Sequence, residues 1–132
     1  MCSINKDILN SLISNNILPD DKKLSEYQDF FEFINYSRIE GIVQNCLLKN
    51  QSSYSDEISL LIKKNNEIAK KRLVKTLQNI NTGYEISKLF NEHKIEYVFL
   101  KGFYLTNFVY ESMQLRPIND VDVFVRKKDF EK

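Results

Sequence analysis

The chain has 132 residues, 42% of them hydrophobic and 28% charged, the balance of an ordinary globular protein. Nineteen Lys plus Arg face 18 Asp plus Glu, for a net charge of +1, which excludes a strongly basic nucleic-acid clamp and an acidic tail protein. A single histidine excludes a multi-histidine metal site within the chain, and two cysteines, Cys2 and Cys46, exclude a disulfide framework. Three Gly and two Pro leave too few tight turns for an all-β fold. No apolar run approaches the ~18 residues of a membrane span. Charges among the first ten residues argue against a signal peptide. A reduced, cytoplasmic setting is expected, with no membrane partner.

Ser3 or Asn5 caps a first helix that carries Ile4, Ile8, Leu12 and Ile13 on one side. Pro19-Asp20-Asp21 breaks the chain. A second helix is expected from Asp21 through Leu24, Tyr27, Phe30, Phe31 and Ile34, spaced as one helical stripe. Phe33 and Tyr36 are expected to pack with it. Glu40-Gly41 interrupts the pattern, and Ile42, Val43, Cys46 and Leu47 begin a shorter helix, with Cys46 as a small core residue. Asn50-Gln51-Ser52-Ser53 reads as a polar turn.

Ser55 or Asp56 opens the longest helical pattern. It carries Ile58, Leu61, Ile62, Ile68, Leu73, Leu77 and Ile80, weakens at Asn81-Thr82-Gly83, and resumes with Ile86, Leu89 and Phe90. Lys63, Lys64, Lys70, Lys71, Arg72 and Lys75 make a basic stretch on it, without the interleaved aromatic groups on which single strands stack. It reads as a solvated face, and no nucleic-acid partner is expected. His93 sits near the helix end, where a cation is favoured, and reads as structural.

The period changes at Ile95. Residues Ile95 to Leu100 are β-branched and aromatic, typical of a strand. Lys101-Gly102 ends it, and Phe103 to Tyr110 is apolar nearly all round, which predicts a short buried helix. Arg116-Pro117 marks a loop, because a residue before proline avoids helical angles. Asp120 to Val125 alternates as a second strand, and Arg126 to Lys132 resembles the opening of another helix.

The chemistry-bearing residues cluster in this last quarter. Strand side chains alternate between faces. Asp120 and Asp122 therefore share one face, and Val121, Val123 and Val125 the other. Two close carboxylates repel and need a compensating positive charge. A hard divalent cation such as Mg2+ supplies it through oxygen ligands and takes substrate phosphates as further ligands. A plain acidic strand face is the bland alternative. Gly102, after a strand, allows close backbone approach to a ligand, and the helix that follows offers N–H groups suited to a phosphate. Lys101 adds a point charge; otherwise the pair is a turn glycine and a solvated strand end. Arg116 either clamps an anion with its fork of donors or neutralises Asp120 or Asp122.

The order strand, Leu100-Lys101-Gly102, helix with Tyr110, Arg116-Pro117, Asp120-x-Asp122, Val125 resembles the nucleotidyltransferase superfamily of the DNA polymerase β type. Within it the chain is most similar to uncharacterised bacterial nucleotidyltransferases with an LKG…Y…RP..D.D..V signature. The resemblance covers about residues 95 to 130. It implies an α+β fold, with a helical lead-in (residues 1–52) and a long helix plus the first strands of a mixed sheet (residues 53–132). It further implies Mg2+ or Mn2+ on Asp120 and Asp122, an NTP cradled by Lys101 and Gly102 with Arg116 in support, and nucleotidyl transfer to an acceptor hydroxyl. Two departures stand out. Phe103 follows Gly102 where the superfamily has Ser or Gly. A third carboxylate on a later strand is missing, since only Asp129 and Glu131 follow Asp122. The chain is therefore expected to be an N-terminal fragment, inactive alone, with an open sheet edge that invites pairing with another chain. A non-catalytic binding module and an all-helical scaffold are the alternatives.

Overall fold

A computed structural model describes residues 3–49 and 54–130. Cys2, the side chains of Ser3 and Ile4, the Asn50-to-Ser53 turn, the expected division at residues 52–53 and Glu131 lie outside the described residues. The chain divides into two compact units, Met1–Lys71 and Arg72–Lys132.

The first unit is helical. It holds α1 (Ser3–Asn15), α2 (Leu24–Ser37), α3 (Glu40–Leu48) and the start of α4 (Asp56–Glu92). Its core is Ile8, Leu12, Leu18, Tyr27, Phe30, Phe31, Ile34, Val43 and Leu47, with Cys46, Ile58, Leu61 and Ile62 packed against it. Ile13 is exposed, because one residue beyond Leu12 is a rotation of about 100° off the buried line. Tyr36 is exposed for the same reason, two residues past Ile34. Helix α2 starts at Leu24, later than the stripe suggests. Lys23 is still extended, and its N–H donates to the Glu26 carboxylate at 2.7 Å, half of a capping box. The Tyr27 hydroxyl donates to the Pro19 carbonyl. Burial first, then the charges of Asp20 and Asp21, push this phenol above its ordinary pKa. Arg38 ends α2 in the left-handed region at φ 59°, and Ile39 N–H reaches back to the Ile34 carbonyl at 3.2 Å, the bond of a Schellman cap.

The second unit joins the rest of α4 to β1 (Tyr97–Phe99), α5 (Lys101–Phe108), β2 (Val123–Val125) and a 3-10 turn at Lys127–Asp129. The strands are antiparallel, with Tyr97 opposite Val125, Val98 opposite Phe124 and Phe99 opposite Val123. Leu100 N–H to the Asp122 carbonyl, 3.0 Å, adds one rung, and an Arg126–Glu96 ion pair closes the other end. Helices with a small sheet make the fold α+β and remove the all-helical alternative.

Both strands are shorter than expected. Lys94 is left-handed at φ 54°, and Ile95 N–H bonds the Phe90 carbonyl at 2.8 Å. The end of α4 thus consumes Ile95 in its own cap. The helix after Lys101 is also not buried all round. Only Phe103 and Thr106, three residues apart, are buried, while Tyr104, Phe108, Val109 and Tyr110 are exposed. A two-turn helix on a two-stranded sheet covers one line of side chains and no more. Among the described residues, the stretch expected to open another helix holds the 3-10 turn at Lys127–Asp129.

Helix α4 runs straight through Asn81-Thr82-Gly83. In the second unit its buried line is Thr76, Asn79, Ile80 and Gly83, at i, i+3, i+4 and i+7, and the expected Leu77 and Leu89 are exposed instead. Gly83 is there because the Phe103 ring needs the space: a Cβ on Gly83 would overlap it. Phe103 in turn stacks on Phe99 at 4.1 Å and meets Tyr84 edge-on at 6.1 Å. Gly to Ala inside a helix ordinarily gains about 1 kcal/mol. Gly83→Ala is expected to reverse that sign and cost about 1–3 kcal/mol through overpacking, read as a lower urea midpoint. A raised midpoint would contradict this packing.

Candidate functional site

The site is assembled around Ile118. This residue sits in a chain stretch without regular structure between α5 and β2, yet it is only 3% exposed. It packs with Ile80 and Phe103. Burying a loop residue strands its backbone polar groups unless partners are supplied. Helix α4 supplies both. Ile118 N–H donates to Thr76 Oγ1 at 3.1 Å, and Asn79 Nδ2 donates to the Ile118 carbonyl at 3.0 Å. Two residues back, Thr106 Oγ1 of α5 donates to the Arg116 carbonyl at 2.8 Å. The loop is thus tied to α4 and α5 just before the acids.

Gly102 lies in the first turn of α5, directly against Ile118. A Cβ on Gly102 would stand 2.8 Å from Ile118 Cγ2. Its φ is not positive. This glycine is required by close packing of loop on helix, independently of any ligand. The strained position is the one before it. Lys101 has φ 47°, a left-handed value that a side chain with a Cβ adopts at a cost of about 1–2 kcal/mol. Lys101 is the elbow at which β1 turns into α5.

The lysine at that elbow reaches one of the two acids. Lys101 Nζ lies 3.0 Å from Asp122 Oδ2. The Lys101 side chain is 75% exposed and that of Asp122 36%. The hydrogen bond to Asp122, then its charge, with a lesser contribution from Asp120, hold the Lys101 ammonium above the ordinary lysine pKa. It stays charged through neutral pH. The regular strand begins only at Val123, and the alternation of exposure does not extend before it, since Asp122 is half-buried like Val121 and Val123 on either side. Val121, Val123 and Val125 are half-buried, whereas Asp120 and Phe124 are exposed. Arg116 is brought to the same loop, with an exposed side chain. Among the described residues it forms no ion pair with Asp120 or Asp122, so the neutralising role falls to Lys101.

The donor set suits a hard divalent cation in kind: carboxylates from Asp120 and Asp122, open to water, with a cation already drawn to one of them. Among the described residues no third His, Cys, Asp or Glu joins them. Asp129 lies buried in the 3-10 turn. His93, in the last turn after α4, places Nδ1 2.9 Å from the Leu89 carbonyl, away from this chemistry.

Sequence reasoning missed Thr76, Asn79, Thr106 and Ile118. Thr76 and Asn79 left a signal, two polar residues three apart inside the apolar pattern of α4, whereas Thr106 and the loop residue Ile118 left none. A family model described as "Uncharacterised nucleotidyltransferase" matches residues 24–132. The chain belongs to this nucleotidyltransferase family. No curated protein and no solved structure matches it. No helix among the described residues is long and apolar enough to cross a membrane.

Thr76→Val keeps the shape and removes the acceptor for Ile118 N–H. It is expected to cost about 1–3 kcal/mol, the price of an unpaired buried donor. Urea denaturation checks this, and a change under about 0.5 kcal/mol would show that the loop is held by something else.

Proposed function

We propose that the chain binds Mg2+, or Mn2+, through Asp120 and Asp122 and takes part in nucleotidyl transfer from an NTP to an acceptor hydroxyl. The supporting observation is the family match, which encloses Lys101, Gly102, Arg116, Asp120 and Asp122. When bound, the divalent ion supplies positive charge at the phosphates and polarises their oxygens. In the transfer, the acceptor oxygen bonds to the α-phosphorus, the bond to pyrophosphate breaks, and the hydroxyl proton passes to solvent. The residues of the chain position and neutralise. Asp120 and Asp122 hold the cation. The first turn of α5, with Gly102 in it and no side chain capping it, presents N–H groups to phosphate oxygens. Lys101 and the fork of Arg116 balance phosphate charge. These are electrostatic and positioning tasks, which dominate phosphoryl transfer.

A non-catalytic binding module on the same fold is the second reading. It is favoured by the lack of a third acidic group beside Asp120 and Asp122 among the described residues. Both readings keep the metal and nucleotide site and differ only in turnover.

Calorimetric titration of Mg2+-ATP into the protein is expected to give binding heat that Asp120→Asn with Asp122→Asn abolishes. Arg116→Ala is expected to weaken binding by about 1–2 kcal/mol, as the loss of a charge-assisted hydrogen bond does, and Lys127→Ala by much less. Equal heats for wild type and the double variant would remove the metal site. The reverse ranking of Arg116 and Lys127 would move the phosphate site elsewhere.

A further inference from the structure

We infer that Lys101 is a built-in counter-ion that competes with the divalent cation for Asp122, so that metal entry must displace it. The inference rests on the proposed metal site and adds a role to a residue that would otherwise only touch phosphate. Three observations carry it. The Lys101 ammonium already occupies an oxygen of a proposed metal ligand, at 3.0 Å. Its backbone is left-handed, φ 47°, a conformation that a lysine adopts only against a steric cost. Its side chain is 75% exposed, so it can leave without unpacking anything.

The consequence is an exchange of cations. Without metal, Lys101 neutralises the charge of Asp122. A divalent ion offers more charge and several coordination positions, and it takes the same oxygen. The displaced ammonium is then unpaired. It remains tethered one residue before Gly102, at the uncapped first turn of α5, where an incoming anion is favoured. Metal binding thereby releases a cation for the phosphate of an NTP. A metal ion without nucleotide must break an ion pair, and a metal ion with nucleotide gives that lysine a new partner. Coupling of this kind makes each ligand favour the other.

The test uses Mn2+ alone, titrated into the 132-residue protein and followed by loss of the free-ion paramagnetic resonance signal. Lys101→Gln keeps the side-chain length and removes the charge. It is expected to bind Mn2+ about two- to fivefold more tightly than wild type, the range set by the loss of one exposed ion pair. Lys127→Gln removes an exposed charge elsewhere in the same unit and is expected to leave Mn2+ affinity unchanged. Equal or weaker Mn2+ binding by Lys101→Gln, with wild-type binding abolished by Asp120→Asn plus Asp122→Asn, would overturn the competition while leaving the metal site standing. An equal gain in Lys127→Gln would reduce the effect to general charge and also overturn it. If wild type and the double Asn variant bind Mn2+ alike, the metal site falls and the competition falls with it.

Discussion

The burial of Ile118 is the constraint on which the second unit depends. A residue in an irregular loop has no ladder or helix to satisfy its backbone. Here Thr76 and Asn79, three residues apart on one face of α4, take its N–H and its carbonyl. The Ile118 side chain then closes on Ile80 and Phe103 and leaves no room for a Cβ at Gly102. Phe103 is itself pressed into the gap left by Gly83. Loop, helix α5 and helix α4 are therefore fixed by contacts that share members. The acids follow Ile118 by two and four residues, so their position is inherited from this anchor rather than from a long strand.

The electrostatics of the site are set by the same geometry. β1 and β2 run antiparallel, and the rung between Leu100 and Asp122 sets the end of one strand beside the acids that lead into the other. The elbow at Lys101 then has only one residue in which to turn into α5. The backbone there is left-handed, and the lysine side chain pairs with Asp122. Such exposed pairs are screened by salt and contribute little to stability. Exposure leaves the Lys101–Asp122 pair open to exchange with another cation, as the proposed competition requires. A buried ion pair at this place would resist replacement by another cation, because its removal leaves an uncompensated charge.

Much of this was legible in the amino-acid order. The stripes of Tyr27, Phe30, Phe31 and Ile34 and of Val43 and Leu47 are the helical core, and the run through Tyr97, Val98 and Phe99 is a strand. Of the candidate site residues, Lys101 and Asp122 are in contact. The rest was hidden for physical reasons. Periodicity counts apolar residues, but α4 meets the loop with Thr76, Asn79 and Gly83, chosen to bond a backbone and admit a ring. Ile95 is apolar and β-branched, yet the helix cap claims it because α4 needs a partner for the Phe90 carbonyl. Gly102 suggested a ligand cradle, and its immediate neighbour is Ile118. The exposed Tyr104, Phe108 and Phe124 show that a short helix and a narrow sheet cannot cover all the apolar surface they present.

The proposed function turns on a divalent cation meeting the chain at Asp120 and Asp122, beside Lys101. Paramagnetic line broadening in a two-dimensional amide spectrum reads this residue by residue. With trace Mn2+, signals from Leu100 to Phe103 and from Asn119 to Val123 are expected to broaden first, before those of the acidic residues Asp20, Asp21, Asp56 and Glu57. Broadening that starts at those other acids, or that spreads evenly over the chain, would contradict it.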